Sequence, residues 1–158
     1  MKKYAGTKMV EARPMDRGEY NRYRGWTIPE DENPADEGYL VKYSDGYESW
    51  SPKKQFEEAY RDCMGMNFGI ALELSKKGVK VARESWNGKG MFVVYQKGYP
   101  QGIPCNKQIA EAWGMDKGDL FVCNPYLQIR LEDGSHSMWM PSMDDILADD
   151  WLIAEYMV

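Results

Sequence analysis

The chain has 158 residues, 43% of them hydrophobic and 28% charged, enough to bury a core in one ordinary domain or two small ones. Its net charge of −5 argues against polymeric nucleic acid as a partner, because that affinity needs many cationic contacts to phosphates. No apolar run approaches the roughly 20 residues that span a bilayer, and Met1-Lys2-Lys3 precedes no apolar stretch, so the expectation is a cytoplasmic protein without membrane contact.

In chain order, Lys8 to Ala12 reads as a strand around Met9-Val10. Asp16 then caps a short helix through Tyr23, with Glu19 three residues on and Gly25 as the stop. Residues 28–38 form an acidic, proline-bearing loop. Tyr39 to Tyr43 and Tyr47 to Trp50 flank Ser44-Asp45-Gly46, an Asp-Gly turn between aromatic-rich strands that predicts a hairpin. Ser51-Pro52 opens a helix to about Arg61. Asn67 caps a second helix, Phe68 to Lys77, whose apolar face runs Met66, Ile70, Leu74 and whose stop is Gly78.

Val79 to Trp86 alternates as a strand, Asn87-Gly88-Lys89-Gly90 turns the chain, and Met91 to Tyr95 returns it. A loop rich in proline and glycine is expected through Pro104, followed by a helix from Lys107 to Trp113. Residues 125–131 and 136–140 read as a hairpin around Asp133-Gly134. Ser142, with Asp145 at the third position, caps a helix to about Asp149, and residues 151–154 close the chain as a strand. The expected fold class is α+β, as two small modules, 1–63 and 64–158, of mainly antiparallel sheets with short packed helices. There is no βαβ repeat, GxGxxG or P-loop, which removes the usual dinucleotide and nucleoside-triphosphate folds.

Catalytic equipment is sparse. Three separated cysteines (Cys63, Cys105, Cys123) and the single His136 give zinc almost no ligand set, so no metal or cofactor is expected. Asp144-Asp145 and Asp149-Asp150 are carboxylate pairs of a kind that do acid–base work, or else a solvated helix start favoured by the macrodipole. Nothing assembles into nucleophile, base and oxyanion donors.

Binding chemistry is better represented. Trp86 and Trp139 each lie at a turn, and indole faces stack nucleobases. Asn87 matches a base edge or ribose hydroxyl. Gly88 and Gly90 allow backbone N–H groups to approach phosphate, and Lys89 adds a mobile positive charge. The competing reading is a hairpin turn preceded by a core tryptophan. From Lys76 to Lys97 six cations face one acid, Glu84, whereas no Lys or Arg follows Arg130. These strips read either as surfaces complementary to each other or as a pocket with one cationic and one carboxylate wall.

The run Met66-Asn67-Phe68-Gly69-Ile70-Ala71-Leu72-Glu73-Leu74, then Val81-Ala82-Arg83 and Trp86-Asn87-Gly88-Lys89-Gly90-Met91, resembles the second Thoeris anti-defence family of phages. So does the end, Met140-Pro141-Ser142 with Asp145-Ile146-Leu147-Ala148-Asp149-Asp150-Trp151. The resemblance covers residues 64–158, least in 96–124. It implies a non-enzymatic sponge that sequesters glycocyclic ADP-ribose in the cytoplasm of the infected host, starving the Thoeris effector of its activator. It also implies a homotetramer or homodimer, and cyclic di- or trinucleotides of CBASS systems as further ligands. Carried to matching positions, Trp86 and Trp139 would stack, Asn87 and Gly88 to Gly90 would meet ribose or phosphate, and Asp145 a hydroxyl or base amine. Ser142 joins the candidate site, and Lys89 and Arg83 are added on charge alone. Residues 1–63 resemble an accessory module of phage proteins. Two other readings stand beside the sponge: a nucleotide-signal hydrolase using Asp144 or Asp145 as base, and a protein-interaction module presenting Trp26, Trp50 and Trp113.

Overall fold

The computed structural model describes residues 1–86 and 90–156, the last of these by its backbone only. The fold is α+β, with short helices and exclusively antiparallel pairing among the described strands. It divides into two compact units, Met1–Arg61 and Asp62–Val158.

Unit 1 contains β1 (Glu11–Pro14), α1 (Arg17–Arg24), β2 (Gly38–Lys42), β3 (Glu48–Pro52) and α2 (Lys53–Ala59), with sheet order β1-β2-β3. The first strand was expected at 8–12. It starts later because its ladder runs from Glu11 opposite Lys42 to Pro14 opposite Tyr39, and Pro14 sits at its end, where a missing donor is tolerated. Asp16 caps α1 in a capping box: the Glu19 N–H donates to Asp16 Oδ1 at 2.6 Å and Glu19 reaches back to the Asp16 N–H. Gly25, at φ 70°, ends the helix.

Met15, Tyr20 and Leu40 form the unit's small core, with Trp50 packed on it and donating its indole N–H to Met15 O at 2.8 Å. Gly38 is required there, because a Cβ would run into the Trp50 ring. On α2, Phe56 stacks on Tyr39 at 4.2 Å and on Tyr60 at 4.9 Å, the i, i+4 spacing of one helix face.

The acidic loop of residues 28–38 is tied to α1 by Glu32. Its carboxylate accepts from Arg17 Nε at 2.8 Å and from Asn21 Nδ2 at 2.9 Å. The hydrogen bonds from Arg17 and then Asn21 hold the Glu32 carboxyl at about 2, against an ordinary value of 4.5. A depressed carboxyl contributes stability that is complete above its unfolded value and lost as pH falls through its folded one. Glu32→Gln is therefore expected to be less stable than the parent at neutral pH, with the difference closing between pH 4.5 and about 2. Urea unfolding across that range checks it; a difference independent of pH would mean that the Arg17 pairing contributes nothing.

Unit 2 contains α3 (Phe68–Lys76), β4 (Val81–Arg83), a 3-10 turn (Glu84–Trp86), β5 (Phe92–Gln96), β6 (Tyr99–Pro104), α4 (Lys107–Trp113), β7 (Leu120–Cys123), β8 (Tyr126–Arg130), β9 (His136–Trp139), α5 (Met143–Leu147), β10 (Trp151–Ile153) and a closing 3-10 turn (Ala154–Tyr156). Its main sheet runs β10-β4-β5-β8-β9, and β6 and β7 pair as a separate ribbon.

Three expectations are corrected. The strand expected over 79–86 is only three residues long, after which the chain tightens into the 3-10 turn. Val81 and Ala82 are both buried, so β4 is covered on both faces and does not alternate. The helix after Ser142 stops at Leu147, since Ala148 is already extended. Residues 99–104, expected as loop, pair with 120–123. A register shift between Tyr99 and Ile103 accommodates the prolines and glycine that had argued against a strand.

The core of unit 2 gathers Met66, Ala71, Leu74, Val81, Val93, Ile129, Trp151 and Ile153 between the main sheet and α3. The α3 cap is Asn67, whose side chain accepts from the Ile70 N–H at 3.0 Å. No helix among the described residues is long and apolar enough to cross a membrane.

Candidate functional site

Four aromatic side chains meet at one end of unit 2. Trp151 is fully buried in β10, and its ring centroid lies 5.4 Å from Phe68, 5.7 Å from Trp86 and 6.0 Å from Trp139. Trp86 and Trp139 touch each other edge-to-face, 6.3 Å apart at 84°. Both are half-buried and packed against the core. The two residues read from the sequence as one site are therefore neighbours, although 53 positions separate them along the chain. An indole held this way is rigid, so stacking a flat ligand on it costs little further ordering.

Behind the indoles lies a charged cluster. The Arg83 guanidinium bonds the Asp150 carboxylate through Nε and the Asp145 carboxylate through Nη1, the latter at 2.8 Å. Side-chain exposures of 14%, 16% and 28% for Arg83, Asp145 and Asp150 put these charges where water screens them poorly. The hydrogen bond to Asp150 raises the Arg83 pKa further, against the effect of burial. Burial pushes the Asp150 carboxyl up, but hydrogen bonds from Arg83 and the Ser85 N–H together outweigh it and hold Asp150 below its ordinary value.

Asp145 does several jobs at once. Its other carboxylate oxygen accepts from Ser142 N at 2.9 Å and Ser142 Oγ at 2.7 Å, completing a capping box on α5. Its backbone carbonyl accepts the Trp151 indole N–H at 2.8 Å. Arg83, Ser142 and Asp145 were expected to face a ligand; the structure gives each of them a partner inside the protein.

Asn87, Gly88 and Lys89 lie outside the described residues. The residue that follows is described: Gly90 has φ 67°, a left-handed conformation that favours glycine, and its carbonyl accepts from Arg130 Nη1 at 2.7 Å.

Sequence reading missed Arg130, Asp150 and Trp151 as parts of this site. Asp150 had been noted as one of a carboxylate pair, but its guanidinium partner is 67 residues away, beyond any local pattern. Of the three tryptophans named for a protein-interaction surface, Trp50 is half-buried and hydrogen-bonded in unit 1, Trp26 is exposed on unit 1 and Trp113 is exposed on unit 2. A depression of about 280 Å³ in unit 1 has charged walls, but Asp16 and Glu19 serve the α1 cap and Glu37 pairs with Lys53 at 2.8 Å. No group of three or more His, Cys, Asp or Glu among the described residues could hold a metal ion.

Residues 66–154, more than half of the chain, match the family model for the Thoeris anti-defense 2-like domain. The chain belongs to that family. The Thoeris anti-defense 2-like region falls within unit 2 and takes in the whole aromatic cluster and the charged cluster beside it. Thoeris anti-defense 2 of Bacillus phage SP01 is 34% identical over 89 residues, a match covering 54% of this chain and 91% of the phage protein. Unit 1 lies outside the family match.

Proposed function

We propose that the protein is a phage anti-defence protein that captures a cyclic nucleotide immune signal, glycocyclic ADP-ribose first, and holds it unchanged in the cytoplasm of the infected host. Family membership supports the anti-defence role. The observation that carries the binding role is the edge-to-face pair of Trp86 and Trp139, half-buried and packed on Trp151. An adenine base stacks on such an indole, and Gly88, Lys89 and Gly90 supply, by residue type, the backbone donors and the charge that phosphates need. Cyclic di- and trinucleotides share these groups and are proposed as further ligands.

For Asp145, sequestration is favoured over hydrolysis; the exposed Asp144 is left to the ligand-recovery test below. The Asp145 carboxylate is already bonded to Arg83 and to Ser142, which leaves it poorly placed to take a proton from water. Assembly into a homodimer or homotetramer is part of the same proposal. Met138, Met140, Met143 and Leu147 are all exposed along β9, at the sheet edge, and α5, which supports their burial against another copy.

The test separates capture from cleavage. The protein is loaded with glycocyclic ADP-ribose, stripped of free ligand and heated until it denatures. The released nucleotide is expected to match its starting mass and to activate the Thoeris effector again. Recovery of a hydrolysed product makes the protein an enzyme; recovery of nothing removes the nucleotide reading.

A further inference from the structure

We propose that Arg83 is a positioning residue for the nucleotide site: gripping Asp145 and Asp150 together, it sets the mutual geometry of Trp86 and Trp139 from behind without touching the ligand. This rests on the binding reading above and gives a role to charged groups already paired within the protein.

Trp86 sits on a 3-10 turn whose first two amides are both fastened to Asp150: Glu84 N–H donates to Asp150 O at 2.9 Å, and Ser85 N–H to Asp150 Oδ2 at 3.3 Å. Trp139 ends β9, and three residues later Ser142 is fastened to the Asp145 carboxylate through both its N–H and its hydroxyl. Nothing local joins these two segments, 53 residues apart.

Arg83 joins them. Its Nε bonds the carboxylate that holds the Trp86 turn, and its Nη1 bonds the carboxylate that holds the segment after Trp139. A third link runs through the aromatic layer. Trp151 donates to Asp145 O, its ring touches both indoles, and the guanidinium lies 5.8 Å from that ring. A planar fork holds two carboxylates through separate N–H groups of fixed direction, whereas an ammonium carries three rotatable donors on one atom and does not fix the angle between its partners.

The full chain is compared as parent, Arg83→Lys, Asp145→Asn and the double variant, by calorimetry with glycocyclic ADP-ribose and by near-ultraviolet circular dichroism of the free protein. Edge-to-face indoles couple optically, so the dichroism reads their angle before any ligand is present. Each single variant is expected to bind about tenfold more weakly and to shift the indole dichroism in the free protein. The double variant is expected to lose no more than the weaker single one, because both changes break one device.

Three results overturn the proposal. Arg83→Lys binding like the parent would mean that a positive charge is all the site uses. Lost affinity with parental dichroism would put Arg83 in contact with the ligand. Losses that multiply in the double variant would make the two residues independent. Should either variant fail to fold, Ser142→Ala, which removes the hydroxyl's bond to the Asp145 carboxylate together with its cap on the Asp145 N–H, is held to the same two readouts. If the parent binds no nucleotide, the binding reading fails, while unchanged dichroism in the variants would separately refute the positioning role.

Discussion

Trp151→Ala is expected to destabilise unit 2 by about 3 to 5 kcal/mol, the range for removing a large buried aromatic side chain. At about 4 °C per kcal/mol for a unit of this size, the melting point falls by roughly 12 °C or more. The reason is that one indole has three functions. It fills the centre of the core with no exposure, it supplies an aromatic edge or face to Phe68, Trp86 and Trp139, and its N–H satisfies the Asp145 carbonyl. The backbone of Trp151 also bonds Met66 in both directions, at 2.8 and 3.0 Å, so collapse of the cavity would have to move the start of α3 as well. Trp151→Phe keeps much of the volume and loses the indole donor, and is expected to recover more than half of the deficit. Amide exchange of β4 and β5 checks this within unit 2. A loss below about 1 kcal/mol would mean that the core relaxes freely around the gap, contrary to a close-packed interior.

What the sequence disclosed and what it hid divide by range. Helix starts were legible because a cap is local chemistry: Asp16 with Glu19, Asn67 with Ile70 and Ser142 with Asp145 are all three residues apart, and each makes the expected bond. The Asp45-Gly46 turn and the stop at Gly25 are local in the same sense. The antiparallel α+β class followed from strands linked by short turns rather than by crossover helices. The β6–β7 ribbon was not legible, because Pro100, Gly102 and Pro104 punctuate β6, and only a partner strand lying beyond α4 makes it extended structure.

The site shows the same division. Trp86 and Trp139 stood out as indoles at turns, and family resemblance joined them. The role of Arg83 could not be read, because a cation near a candidate phosphate site looks the same in sequence whether it faces outward or inward. Its two carboxylates, 62 and 67 residues on, decide the matter only once β10 lies beside β4. Trp151 read as an ordinary closing strand, since the pattern of that strand says buried and nothing about what is buried against it.

Trp86→Ala is expected to weaken capture of glycocyclic ADP-ribose by about 10- to 100-fold, from roughly 1–3 kcal/mol of lost stacking. The competing account is that Trp86 is a core residue whose loss merely unfolds the protein. Trp86 is half-buried and makes edge contacts with Trp139 and Trp151, each worth about 0.5–1.5 kcal/mol beyond area burial. With the burial of the indole itself counted, the loss is about 3–5 kcal/mol against the usual 5–15 for a domain. Affinity is therefore read per folded molecule, where loss of a stacking surface shows and loss of stability does not. Trp86→Phe, which restores a smaller π-face, is expected to recover part of the affinity, and Trp139→Ala to resemble Trp86→Ala. Calorimetry on samples verified as folded by far-ultraviolet dichroism gives the answer. If affinity per folded molecule is unchanged while the melting point drops, Trp86 belongs wholly to the core and the ligand binds elsewhere.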